Sequence, residues 1–419
     1  MNGPTSPKAR DDADSRLLGL AALLRLNFSG ADLSRLGTDL LSRAAAAPDD
    51  ACALLDASYI LQFKGEDALA MAVQQEALGL RQHFCLQAGE RPSRLRVLAL
   101  MAPGDLMSNV PLECLLENGD ADLHLYFVLP EGRSRDPMPE HDVLFVALSE
   151  TSDNAPLLDA LERRLADWSR PVVNQPAAIR RVARDRASEL LADAPGIAMP
   201  PTLRVPRAAL AAVAAGEAAM DESLPGCEFP IIVRPLDSHA GHDLCKVGDR
   251  AALQSYLAAV TVDRFFVSPF IDYRSSDGLF RKFRIALIDG RPYACHMAVS
   301  DDWMIHYLNA GMADSAAKRA EEERFMATFD QDFAVRHAQA LAAIAQRMGL
   351  EYVCIDCAET ADGRLLVFEV DHAMVVHALD PEDVYPYKLP QMRKVFGAFR
   401  EMLGRHAGRA RARSPSREH

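Results

Sequence analysis

No stretch of the 419-residue sequence approaches 18 apolar residues without a charge or a proline, so no transmembrane helix is expected. The opening MNGPTSPKARDDADSR lacks the apolar run of a signal peptide, which makes a cytoplasmic location the expectation. Positive charge is in the minority. Lys and Arg number 46 against 59 Asp and Glu, a net charge of −13, which argues against a general nucleic-acid binder. The local exception is 405–419, RHAGRARARSPSREH, read as a disordered basic tail because its small residues and arginines bury nothing. The eight cysteines are scattered among apolar neighbours. Cys354-Ile355-Asp356-Cys357 has no second CxxC and no nearby His pair, so neither a zinc site nor a redox pair is expected. No GxGxxG follows the first strand-like run, whose loop holds only Gly104, so a dinucleotide fingerprint is absent.

What is present is an ordinary globular composition, 49% hydrophobic and 25% charged, long enough for two to four domains. Residues 1–16 are polar and expected to be disordered. Residues 17–92 read as helical, with Asp32 as a cap and leucines at helical spacing. Two of these helices form a hairpin of about 34 residues around Gly65, with small Ser58, Ala70 and Ala77. It resembles a single tetratricopeptide unit, which cannot bury its faces alone. Docking on the next domain or a homodimer through this segment is therefore expected. From 93 to 176, strand-like and helical runs alternate, as in a small Rossmann-like parallel sheet. From 177 to 404, helices mix with antiparallel hairpins around Asp289-Gly290 and Asp362-Gly363. The fold class is α+β.

Two constellations carry chemistry. Asp356 lies on one strand of the last hairpin, and Glu369 and Asp371 lie two apart on the other, so the three project to one face. Carboxylates gathered beside an apolar hairpin call for a cation, and hard oxygens suit Mg²⁺ shared with phosphates. The second is the stretch 229–241, in which an apolar strand delivers Arg234 and a loop follows with Ser238 and Gly241. One strand-held fork plus backbone N–H groups is a phosphate-holding arrangement.

Together these segments resemble the ATP-grasp ligases over 95–404, nearest to the glutathione-synthetase and ribosomal-protein-glutamate-ligase branch. Pro171-Val172-Val173-Asn174-Gln175-Pro176 resembles the strand closing that family's first domain. Arg184-Asp185-Arg186 resembles its RDK segment, with Arg186 for lysine, and 229–241 resembles its FPxxxKPxxGSxG segment, with Arg234 for lysine. Phe265-Phe266-Val267-Ser268-Pro269-Phe270-Ile271 resembles its hinge, with Pro269 for glutamate. Lys282-Phe283-Arg284-Ile285 resembles its DxRV strand, and Asp356, Glu369 and Asp371 its D…ExN magnesium set.

The resemblance implies an ATP-grasp domain over 177–404 with a lid at about 185–270. It implies ATP and one or two Mg²⁺, with Mn²⁺ as a substitute, held by Asp356, Glu369 and Asp371. Nucleotide contacts would come from Arg186, Arg234, Ser238, Gly241, Ser268, Phe270 and Ile271, and catalytic ones from Arg284 and Lys282. The implied reaction joins a carboxylate to an amine through an acyl phosphate, releasing ADP and phosphate. The substrates would be small molecules or peptides, contacted by His296, Trp303, His306, Asn309, His372 and Lys388. The alternatives are a kinase or phosphotransferase on the same fold, and a nucleotide-binding scaffold without catalysis. Neither nucleic acid nor membrane is an expected partner.

Overall fold

Short polar residues punctuate the first helices. In the computed structural model, which describes residues 16–129, 136–236, 238, 241–306 and 309–413, the chain opens with α1 (Leu20–Phe28), α2 (Leu33–Ala46), α3 (Ala51–Phe63) and α4 (Asp67–Leu80). The Asp32 carboxylate accepts the Ser34 N–H and that of Asp50 accepts the Ala53 N–H, satisfying donors that a helix start leaves unpaired. Every residue of α3 from 51 to 60 is buried, as expected of a helix that is apolar all round. Ser58, Ala70 and Ala77 are fully buried and let α3 and α4 lie close, and Gly65, with φ 75°, turns the chain between them. The expected hairpin is present, with α1 and α2 also packed on α3.

These helices share a core with the first sheet. Leu23, Leu55, Ile60 and Ala77 lie in one buried cluster with its Val97, Leu125 and Phe145. The Gln74 side chain donates to the Gly104 carbonyl and accepts the Gly104 N–H, both at 2.8 Å. Much of the apolar surface that suggested a dimer is thus covered within the chain, while Leu26, Leu41, Leu69 and Leu80 stay exposed.

The first sheet contains β1 (His83–Leu86), β2 (Leu95–Met101), β3 (Ala121–Phe127), β4 (Val143–Val146) and β5 (Val172–Val173), in the order β1-β3-β2-β4-β5. All its pairs are parallel except the β1 edge. β1 lies inside the region expected to be helical. Four residues are too few to show a period, and pairing with β3 decides their conformation. Next in the chain come β6 (Ile197–Ala198), β7 (Leu203–Pro206), β8 (Ile231–Pro235), β9 (Cys245–Val247) and β10 (Arg264–Pro269). Of these, β7-β10-β8-β9 form an antiparallel sheet with its own small core around Leu210, Ile231 and Phe265.

The third sheet orders β12 (Arg291–Ser300), β11 (Phe280–Ile288), β13 (Tyr352–Glu359), β14 (Leu365–Asp371) and β6. Its two expected hairpins turn at Asp289-Gly290, both at positive φ, and at Asp362-Gly363, where Gly363 has φ 80°. Asn174, fully buried, ties the first sheet to the third. Its amide donates to the Tyr352 carbonyl at 2.8 Å and accepts the Tyr352 N–H at 3.0 Å.

Two helical stretches are segmented. Residues 177–192 run as Pro176–Ile179, a 3₁₀ turn and Arg184–Leu191, and 333–348 breaks at His337. The last helix, Lys388–Arg413, wedges Phe399 against Phe145 and Tyr352, at ring separations of 5.8 and 5.0 Å. This helix corrects the expectation of a disordered tail from 405. Arg405 and His406 reach Asp289, and Ala407 is buried, which carries the helix on to Arg413. Residues 1–15 and 414–419, also expected to be disordered, lie outside the described residues. No described helix is long and apolar enough to cross a membrane.

Candidate functional site

Pairing in the third sheet lays four polar residues in one row. His296 on β12 stands opposite Arg284 on β11, Arg284 opposite Asp356 on β13, and Asp356 opposite Glu369 on β14. Residues directly opposite share a face, so these side chains meet. Lys282, two before Arg284, joins that face. The row forms one wall of a cleft of about 530 Å³.

Asp356 is the anion at its centre. Arg284 donates Nε–H and an Nη2–H to its two oxygens at 2.7 and 3.0 Å, and Lys282 Nζ lies 2.7 Å from Oδ2. Burial alone would raise this carboxyl, but the Arg284 and Lys282 charges and the Arg284 hydrogen bonds hold it well below the usual carboxylate range. Arg284 also donates to the Val375 carbonyl at 3.0 Å, and Lys282 to the Ile305 carbonyl at 3.3 Å. His296 is pushed well below the ordinary imidazole range by burial and by the Arg284 charge, so it is neutral at physiological pH.

The opposite wall is cationic. Arg184, at the start of its helix, bonds the Glu369 carboxylate. Arg234 projects from β8 and donates to the Ser238 hydroxyl at 3.2 Å and to the Ser238 carbonyl. Burial and the nearby Arg184 charge bring the Arg234 guanidinium down to about 10, still cationic at neutral pH. Among the described residues Arg234 donates to no carboxylate, so its guanidinium suits a bound anion.

The hinge follows β10. Ser268, Phe270 and Ile271 line the cleft, but the Phe270 N–H already donates to the Pro230 carbonyl at 2.9 Å. Trp303 meets the Phe270 ring edge-on at 5.6 Å, and Lys246 Nζ sits 3.5 Å above its face. Gly241 has φ 73°, and a Cβ there would lie 3.2 Å from His306 Nε2, so glycine permits both the turn and the close approach of His306. His306 is pushed down by burial and by the Lys282 charge.

The structure therefore brings together Arg234, Gly241, Ser268, Phe270, Ile271, Lys282, Arg284, His296, Trp303, His306, Asp356, Glu369, Asp371 and Lys388, with Ser238 beside Arg234 in an adjoining recess. It leaves out three expected residues. Arg186 points to the surface and pairs with Glu189, because the helix turns Arg184 inward instead. Asn309 is exposed and accepts the His306 N–H. His372 is buried against the Leu148 carbonyl, tying the third sheet to the first. Lys388 borders the cleft with its ammonium held by Asp380 at 3.0 Å and Glu322 at 3.3 Å. Sequence reasoning missed Leu20, Leu24 and Phe28 of α1, which also line the cleft. Nothing in their helical spacing marks them as more than packing residues.

The expected metal trio is corrected in part. Among the described residues, no three His, Cys, Asp or Glu side chains gather as a metal site. Asp356 is neutralised by the chain's own cations, which removes the need for an outside one at that carboxylate. Asp371 accepts the Ala373 N–H at 3.0 Å and lies 3.5 Å from His372. Burial would raise its carboxyl, but these contacts lower it. Glu369 and Asp371 share one face of β14 and both border the cleft. As hard oxygen donors beside the cationic wall, this pair fits Mg²⁺ that arrives with phosphates.

No protein-family model and no curated protein matches the sequence. Among solved structures, the chain is similar to D-alanine–D-alanine ligase from Bacillus anthracis complexed with ATP. That match has 14% identity and a TM-score of 0.43, covering 77% of this chain and 100% of the other. It is similar to a RimK domain ATP-grasp protein from Sphaerobacter thermophilus, with 19% identity and a TM-score of 0.40, covering 73% and 99%. It is also similar to D-alanine–D-alanine ligase from Coxiella burnetii, with 12% identity and a TM-score of 0.46, covering 76% and 98%.

Proposed function

We propose that this chain is an ATP- and Mg²⁺-dependent carboxylate–amine ligase of the ATP-grasp kind. The observation that carries the reading is the convergence of four cations, Arg184, Arg234, Lys282 and Arg284, with Glu369 and Asp371 on one cleft that Phe270 also lines. A polyphosphate and a flat base need that combination. In the proposed reaction a substrate carboxylate oxygen takes the γ-phosphoryl group of ATP, leaving ADP. An amine then attacks the acyl carbon, a C–N bond forms, and phosphate departs with the C–O electron pair.

The residues would work by placement and charge. Arg184 and Arg234 bracket phosphate oxygens. Three of the five N–H donors of Arg284 are used in the structure. The remaining two can meet charge developing on the transferred group. Asp356 orients both Arg284 and Lys282. Glu369 and Asp371 are the carboxylates that would hold Mg²⁺, which when bound offsets phosphate charge.

The test is ADP formation with hydroxylamine as the trapping amine. Ligase chemistry gives a hydroxamate in amounts matching ADP and dependent on the acid. ATP bound without any ADP formed would replace this reading with a second one, a nucleotide-binding scaffold. The capture of Asp356 by two cations is the observation that favours that second reading.

A further inference from the structure

The cationic wall has an apolar counterpart that the ligase chemistry does not use. Leu20, Leu24 and Phe28 of α1 line the same cleft as Met107, Met374 and Met392. These six side chains come from four separate parts of the chain. The apolar end is joined to the reacting end by short contacts. Arg284 donates to the Val375 carbonyl, whose neighbour Met374 is buried in the apolar wall, and two residues on the His377 ring meets Phe28 edge-on at 5.2 Å. Burial pushes His377 down, so it adds no charge there at neutral pH. The charged groups at this end, Lys388 and Asp380, are paired with each other. Three methionines supply a deformable lining.

α1 is also fixed in place. The Asp56 carboxylate accepts the N–H groups of Leu18 and Gly19 at 2.8 and 2.9 Å, and Glu113 accepts the Ala21 N–H at 3.0 Å. A Cβ on Gly19 would lie 2.9 Å from the Glu113 carboxylate, so the approach requires glycine. This is how a wall is held in position, in contrast to a loosely attached appendage.

We infer that the acid substrate is a carboxylate with an apolar body, aliphatic or aromatic, and that α1 supplies the specificity-determining wall through Leu24 and Phe28. The inference rests on the ligase reading for the role of the carboxylate. A molecule spanning the cleft would put its anionic end by Lys282 and Arg284 and its apolar body against α1. Burying several methylenes there favours it over a second polar end.

Calorimetry on the full-length protein with saturating AMP-PNP and Mg²⁺ tests this, using octanoate and glutarate as probes. Octanoate should bind roughly tenfold or more tighter than glutarate. Leu24→Asp and Phe28→Ala should each weaken octanoate roughly fivefold or more, with AMP-PNP affinity unchanged. The half-exposed Phe28 makes its variant the one least open to misfolding. The inference is overturned by glutarate binding as tightly as octanoate, by no octanoate binding, or by full octanoate affinity in Phe28→Ala. Failure of the ligase reading looks different: AMP-PNP does not bind, or ADP never forms, while octanoate titrated alone still binds and still responds to Phe28.

Discussion

At the scale of single residues, the cleft distinguishes cations held by carboxylates from one held by neutral groups. Among the described residues, Arg234 donates to the Ser238 hydroxyl and carbonyl and to no carboxylate, so an arriving phosphate would meet an accessible fork. Arg234→Ala should weaken AMP-PNP binding roughly tenfold or more, and Arg234→Lys should recover much of it because the charge remains. Unchanged affinity in the alanine variant, read by calorimetry, removes Arg234 from the phosphate site. Asp356 is a different case. Almost fully buried between Arg284 and Lys282, it is structural as well as electrostatic. Asp356→Asn leaves two cations without their anion, which costs about 3 kcal/mol or more. We expect that variant to lose turnover together with a lowered melting temperature. Glu369→Gln, at a half-exposed position paired only with Arg184 among the described residues, should lose turnover with little thermal effect. Equal melting shifts in the two variants would contradict this division of roles.

At the scale of elements, what the sequence made legible was what local chemistry determines. The hairpins at Asp289-Gly290 and Asp362-Gly363 follow from their turn residues, and the second alone puts Asp356, Glu369 and Asp371 on one face. Which cation would neutralise those acids was not legible. Arg284 reaches Asp356 across a pairing between residues 72 apart in sequence, and no spacing rule announces it. The choice between Arg184 and Arg186 turned on helix phase, which the short segment did not reveal. The cleft-lining role of α1 was hidden for the same reason, since its leucines look like any core stripe. The anchoring of α1 carries its own pH signature. Burial raises Asp56 to about 6 and Glu113 to about 8, with the N–H groups they accept only partly opposing this. Acids raised in the folded state bind protons more tightly there than when unfolded. Their contribution to stability is therefore fully present only below about pH 4 and is lost as pH rises towards about 8. We expect a melting temperature several degrees lower at about pH 8 than at about pH 5, and a flatter profile in Glu113→Gln. An unchanged slope in that variant assigns the dependence elsewhere.

At the scale of the whole molecule, the N-terminal helices behave as part of the body that carries the cleft. Leu23, Leu55, Ile60, Ala77 and Leu78 share one continuous core with the first sheet, and that core runs on through Phe145, Tyr352 and Phe399 into the third. Each such leucine or isoleucine is worth about 1.5–3 kcal/mol when fully buried. A folded chain has only about 5–15 kcal/mol in reserve. Losing four helices of this kind therefore exceeds what the remaining structure can absorb, unless the part left behind has a complete core of its own. The first sheet does not, because buried residues of α1, α3 and α4 belong to its core cluster and Gln74 closes the loop after β2. The antiparallel sheet β7-β10-β8-β9 is different, since its core is separate. We expect removal of residues 1–82 to give insoluble protein, even though every cation and carboxylate of the cleft lies beyond that point. Removal of residues 1–15 should leave a protein that melts as the full chain does. A soluble 83–419 fragment with a single cooperative transition would show instead that the helices are a detachable module and that α1 is no fixed wall of the cleft.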